Sequence, residues 1–159
     1  MTYILVDTAN TFFRARHVSS RGTDLDTKIS LAFHILFNSL KKANTMFSGS
    51  HVVFCLEGRS WRKDFYEPYK KNRAVVLDKR TDREKEEDDF WWEAFDNFCT
   101  FVKENSNCSV LREPTSEADD LIALWIQAHP NDKHVIISSD SDFYQLINSN
   151  VSLYNGVAN

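Results

Sequence analysis

An α/β fold with a mostly parallel central sheet is the fold class that this amino-acid sequence predicts, on three observations. Short β-branched runs recur along the chain, helical apolar spacings lie between them, and 159 residues at 42% hydrophobic suit one domain with a real core. The first strand is Tyr3 to Val6, "YILV". Leu25 to Met46 then spaces Ile29, Phe33, Leu36, Phe37 and Leu40 at steps of three and four, the helical period. His51 to Leu56, "HVVFCL", is the second strand, and Asp82 to Glu104 a second long helix with Phe90, Trp91, Phe95, Phe98 and Val102 as its apolar stripe. Ser109 to Leu111 is a short strand. Ser116 opens a helix with Asp119 at the capping-box distance, although Asp is a weak stand-in for Glu there. His134 to Ile137, "HVII", and Val151 to Tyr154 complete the strands, with a helix beginning near Phe143. There is no internal repeat, low-complexity tract or second-domain linker, so residues 1–159 read as one unit.

Composition narrows the function classes. The apolar run before Asp7 is too short for a signal peptide and no stretch approaches the length of a membrane span, so a cytoplasmic protein without membrane contact is expected. Cys55, Cys99 and Cys108 lack CxxC spacing and read as packing residues rather than a disulfide or zinc framework. The net charge of −4 conceals a split: +2 over Met1 to Gly58, +5 over Arg59 to Lys85 and −11 over Glu86 to Asn159. A local basic segment beside an acidic pocket suits a phosphate polymer led to metal ions.

The acids follow the strand ends, where ligands gather in open α/β sheets. Asp7 follows the first strand, Glu57 the second, Glu117, Asp119 and Asp120 lie just beyond the third, and Asp140 and Asp142 follow the fourth. Singly, each also fits a local role: Asp7 in a turn, Glu117, Asp119 and Asp120 at a helix dipole, Asp140-x-Asp142 as a cap. Their joint placement favours an all-oxygen site for Mg²⁺ or Mn²⁺, whose charge would offset their mutual repulsion.

The motifs "ILVDTANTFFRARH", "FCLEG", "WRKDFYEPYKKNR", "EADD" and "ISSDSDFYQL" resemble, in order and spacing over nearly the whole chain, the 5′-nucleases: flap endonucleases, phage-type 5′–3′ exonucleases and the nuclease domain of bacterial DNA polymerase I. The resemblance implies a PIN-like three-layer fold with a helical gateway over about residues 60–104. It implies hydrolysis of phosphodiesters near 5′ ends by two metal ions, on DNA with a 5′ single-stranded flap, a nick or an RNA primer. Carried over residue by residue, Asp7, Glu117, Asp119 and Asp140 would bind the first metal, and Asp120, Asp142 and Glu57 would be outer or bridging ligands. Glu57 departs from the pattern, which usually has Asp there. Lys70 and Arg73 match gateway residues that stabilise charge on the scissile phosphate, and Tyr69 matches a base-stacking aromatic. Arg14, Arg16, Arg62 and Lys71 match strand-binding positions, with His17 beside them. In the family, a further Asp pair and a helix-turn-helix part lie beyond the equivalent of Asn159, so a C-terminal half is the expected further partner.

Three other classes were weighed. A PIN-type endoribonuclease would lack the long insertion, and a dehalogenase-like phosphatase needs Asp where Ala9 stands. A DNA-binding half that is catalytic only with a C-terminal partner also fits. Lys79, Arg80, Arg83 and Lys85, interleaved with acids, read as a solvated face. The aromatics Phe90, Trp91, Trp92, Phe95 and Phe98 read as core, and His34, His51, His129 and His134 as structural.

Overall fold

The structure, a computed structural model, describes residues 1–19, 24–57 and 82–155. In chain order these form β1 (Thr2–Asp7), α1 (Thr8–Val18), α2 (Leu25–Met46), β2 (His51–Cys55), α3 (Asp82–Asn105), β3 (Ser109–Leu111), α4 (Ala118–Ala128), β4 (Lys133–Ile137), a 3₁₀ helix (Ser141–Leu146) and β5 (Val151–Tyr154). The five strands make one sheet in the order β3-β2-β1-β4-β5, and every pair is parallel. Because β1 lies in the middle, its Ile4, Leu5 and Val6 are wholly buried.

Strand side chains alternate between faces, and the two cores follow that period of two. Ile4 and Val6 of β1, with Val135 and Ile137 of β4, pack against Phe12, Leu36, Trp91, Phe95 and Phe98 from α1, α2 and α3. Tyr3, Leu5 and Ile136 point the other way, onto Ala118, Leu121, Ile122 and Phe143. The result is three layers, helices on both faces of the sheet, as expected of a parallel sheet.

The helices show why these segments settle as they do. Asp24 caps α2 by accepting a hydrogen bond from the Thr27 N–H at 2.8 Å, and Ala32, Leu36, Leu40 and Ala43 form its buried stripe. Phe37, expected in that stripe, is turned outward and 48% exposed, although its ring still meets Phe98 edge-on. After α2 the chain reverses through Ser48, at φ 53°, and Gly49, where a Cβ would come within 2.7 Å of Ile4 Cγ1. Only glycine allows that approach. In α3 the buried positions are Trp91, Phe95, Phe98 and Val102, at steps of four, three and four. Each contributes roughly 1.5–3 kcal/mol on burial. Phe90 and Trp92, read from sequence as core, are exposed by 40% and 48%: their neighbour Trp91 takes the inward position, and 100° per residue turns them off the stripe.

Two further details differ from the sequence expectation. Thr8–Val18 is a helix that the apolar spacing did not single out. The N-cap of α4 is Glu117, not Ser116, and the capping box pairs it with Asp120, whose carboxylate accepts from the Glu117 N–H at 3.1 Å. Ser116 instead donates to Glu113 at 3.0 Å, so its hydroxyl is taken up by the preceding turn. Of the expected gateway, 82–104 belongs to the core-packed α3, and 60–81 lies outside the described residues. No helix among the described residues is long and apolar enough to cross a membrane.

Candidate metal centre

Asp7 is the last residue of β1 and the N-cap position of α1, held at the carboxyl edge in register with Cys55 of β2. A charged group is 6% exposed there, at the centre of the sheet. One hydrogen bond supports it: the Ser138 hydroxyl donates to Asp7 Oδ2 at 2.8 Å. Burial pushes the Asp7 carboxyl up to about 7 from its ordinary 3.8, and the charges of Glu57, Asp119 and Asp140 push it the same way, while the Ser138 bond pulls it down. The direction of these charges places acids from the ends of β1, β2, α4 and β4 within electrostatic reach of one another.

On the other side of the edge, Glu117, Asp119 and Asp120 bring one carboxylate oxygen each to within 4.8 Å of the others. Glu117 is buried, and the two aspartates are half-buried. Asp119 also accepts from the Asp120 N–H at 3.1 Å, which tightens the first turn. Asp140 is half-buried and caps the 3₁₀ helix by accepting from the Asp142 N–H at 2.9 Å, whereas Asp142 is exposed. Glu57 stands exposed two residues beyond β2.

A clasp of small polar residues, unmarked by the sequence reading, ties these acids in place. Ser138, which supports Asp7, also accepts from the Asp140 N–H at 3.0 Å. Thr11 donates to the Asp7 carbonyl at 2.9 Å and to the Ile137 carbonyl at 3.3 Å. The Asn10 side-chain oxygen accepts from both the N–H and the hydroxyl of Ser139, each at 3.0 Å. The start of α1 is thereby fixed to the end of β4, and with it the distance between two acids 133 residues apart. The motifs "DTANT" and "ISSD" supply the hydroxyls and amide, but the sequence does not show that they pair across the fold.

The basic candidates separate. Arg14 is exposed two turns along α1 from Asp7, in a shallow polar niche with Asn10, Thr11, Ser138 and Asn155. Arg16 is half-buried, bonded to Asp88 at 2.6 Å and lying 5.0 Å from the Trp91 ring centre, a tie between α1 and α3. Arg62, Tyr69, Lys70, Lys71 and Arg73 lie outside the described residues.

The donor set fits a hard divalent cation. It consists of carboxylate oxygens without His or Cys, and a desolvated aspartate whose carboxyl is pushed up among like charges is what a cation would relieve.

Residues 2–159 match the family model described as the 5′-3′ exonuclease, N-terminal resolvase-like domain. The chain belongs to this family. Among its relatives, ribonuclease H of Enterobacteria phage T4 is 31% identical over 131 residues, 74% of this chain and 40% of that protein. The flap endonuclease Xni of Psychromonas ingrahamii is 27% identical over 159 residues, 96% of this chain and 56% of the relative. The 5′-3′ exonuclease of Mycoplasmopsis pulmonis is 28% identical over 156 residues, 94% and 46%. The chain thus spans about half the length of the curated relatives it matches. The same fold is seen in the T5 D15 protein co-crystallised with metal ions (TM-score 0.76, 22% identity, 97% of this chain and 54% of that one). The T5 5′-exonuclease with bound zinc gives a TM-score of 0.76 at 23% identity, over 97% and 55%.

Proposed function

We propose that this chain is the catalytic part of a metal-dependent nuclease that hydrolyses phosphodiester bonds near the 5′ ends of DNA. The observation that carries the reading is Asp7: a carboxylate buried at the centre of the sheet edge, its proton held by burial and by acids from three other segments. Structural aspartates are rarely placed so, because the cost of burying like charges needs a counter-charge.

Asp7, Glu117, Asp119 and Asp140 would hold the first ion, with Asp120, Asp142 and Glu57 as outer or bridging ligands, and the all-oxygen set favours Mg²⁺ or Mn²⁺. Bound divalent ions would supply Lewis acidity at the scissile phosphate and an activated water. The chain's own part is to hold the ligands. Ser138 orients Asp7, and the Asn10 and Thr11 bonds keep the two halves of the site from spreading. Arg14 stands exposed beside that edge to meet a substrate phosphate. On the family resemblance, Lys70 and Arg73 stabilise charge that develops on the phosphate, Tyr69 stacks on a neighbouring base, and Arg62 and Lys71 guide the strand. A C-terminal half, as in the longer relatives, would complete the second ion's site and grip the duplex.

Similarity to the phage T4 ribonuclease H supports one extension, a 5′ strand of RNA paired to DNA, as in primer removal. The deciding experiment offers a labelled 5′-flap duplex, and the same duplex with an RNA 5′ segment, to wild-type and Asp119→Asn protein with Mg²⁺, with and without a relative's C-terminal half. Cleavage by the wild type and its loss in the variant is the expected result. Equal cleavage by both proteins would sink the metal assignment.

A further inference from the structure

A cavity of about 250 Å³ opens at the far end of α1, between α1, α2 and α3, lined by Phe13, Arg16, His17, Lys28, Glu87 and Trp91. It lies away from the acids. Arg16 is nine residues beyond Asp7 on a helix, about 13 Å along the axis. A duplex strand has one phosphate per about 3.4 Å and an extended unpaired strand roughly twice that spacing, so the span is about two to four nucleotide steps from a phosphate held at Asp7. Resting on the nuclease reading above, we infer that this cavity seats one unpaired nucleotide of the substrate strand, about two to four steps from the bond that is cut.

The walls suit a base. The Arg16 guanidinium is already fixed, by its bond to Asp88 at 2.6 Å and by the rings of Trp91 (5.0 Å) and Phe13 (5.9 Å) beneath it. A planar cation immobilised on aromatic rings loses little freedom when a base stacks on it. The volume exceeds that of a few waters and matches one base with part of its sugar. Lys28 and His17 supply donors suited to a phosphate or sugar oxygen. The Glu87 carboxylate accepts hydrogen bonds, so it favours bases that carry an exocyclic amine, cytosine or adenine, over thymine. Pairing would hide both the stacking face and the amine, so the cavity selects unpaired nucleotides.

The test is a walk of a single abasic position along the flap strand, with binding read by fluorescence anisotropy in metal-free buffer, so that no strand is cut. One position, about two to four nucleotides from the cleavage point, should weaken binding about tenfold, and other positions much less. Thymine in place of cytosine there should weaken wild-type binding, and Glu87→Gln should abolish that difference. Lys28→Ala should lower the salt slope of binding by about one. Both side chains are partly exposed, and thermal melts confirm that the variants fold. Arg16 is left intact because it ties α1 to α3. A flat abasic profile, or one that neither variant alters, overturns the proposal. If the wild type cuts the flap with Mg²⁺ while the profile is flat, the cavity assignment alone falls; if it neither binds nor cuts, the nuclease reading falls with it.

Discussion

The two edges of the sheet bury polar groups in opposite ways. At the amino edge, His134 of β4 is 2% exposed, donates from Nε2 to the His129 carbonyl at 2.9 Å and stacks on Tyr3 at 5.6 Å. His129 in turn bonds the Trp125 carbonyl at 2.9 Å, and His51 bonds the Ser109 hydroxyl at 2.8 Å. Those groups meet carbonyls, a hydroxyl and rings rather than like charges, although His134 Nδ1 and Trp125 Nε1 have no hydrogen-bond partner among the described residues. At the carboxyl edge, Asp7 meets one hydroxyl and three like charges. The amino edge contributes stability, and the carboxyl edge surrenders some so that an ion can restore it.

The contrast breaks most visibly at the ligands. Asp119→Asn should lower metal affinity and Mg²⁺-dependent cleavage together, by at least about 100-fold, while circular dichroism shows an intact fold. Calorimetric titration with Mn²⁺ measures the affinity apart from turnover. A variant with wild-type Mn²⁺ affinity would remove Asp119 from the site.

The same edge should also show in the pH dependence of the metal-free protein. The folded-state pKa of Asp7, about 7, lies above its ordinary 3.8, so the folded chain holds that proton more tightly than the unfolded chain. This contribution to stability is full below pH 4 and is lost as pH rises through 7. Asp7→Asn should therefore match the wild type near pH 4 and exceed it by up to about 4 kcal/mol at pH 8. Chemical denaturation at the two pH values decides, and a variant less stable at pH 8 would contradict the assignment.

The amino edge should answer differently. His134→Ala removes a buried, bonded side chain and should cost about 2–4 kcal/mol whether or not metal is present, with Mn²⁺ affinity unchanged. The smallest effect is expected at the clasp. Ser138→Ala should weaken Mn²⁺ binding about tenfold and shift the melting temperature little, because the lost bond orients a ligand rather than holding the core. A large loss of stability with unaltered affinity would make Ser138 an ordinary core residue.

The strands and the acids were legible because their signals are local. All five strand runs stand within a residue or two of the expected spans, and the candidate acids come after the first four of them. The helix Thr8–Val18 was not legible: its buried face is Thr8, Thr11, Phe12 and Ala15, too few large apolar residues among polar ones to mark a period. The Asn10, Thr11 and Ser138 bonds were invisible for another reason. Those to Ser139, Ile137 and Asp7 join residues 126 to 131 apart, and nothing in a local pattern encodes such a pairing. The exposure of Phe90 and Trp92 was lost in a run of three aromatics, where the sequence cannot say which one faces inward.

The central position of β1 has a temporal consequence. Its neighbour β2 follows soon after in the chain, but β4, the neighbour on the other side, starts only at Lys133. At a synthesis rate of about 5–20 residues per second, Asp140 leaves the ribosome roughly 7–27 s after Asp7. Over that interval β1 has one open edge, Ser138 has yet to reach Asp7, and the acidic edge is incomplete. A nascent chain thus gathers its full set of acids along one edge only when β4 joins the sheet, late in synthesis.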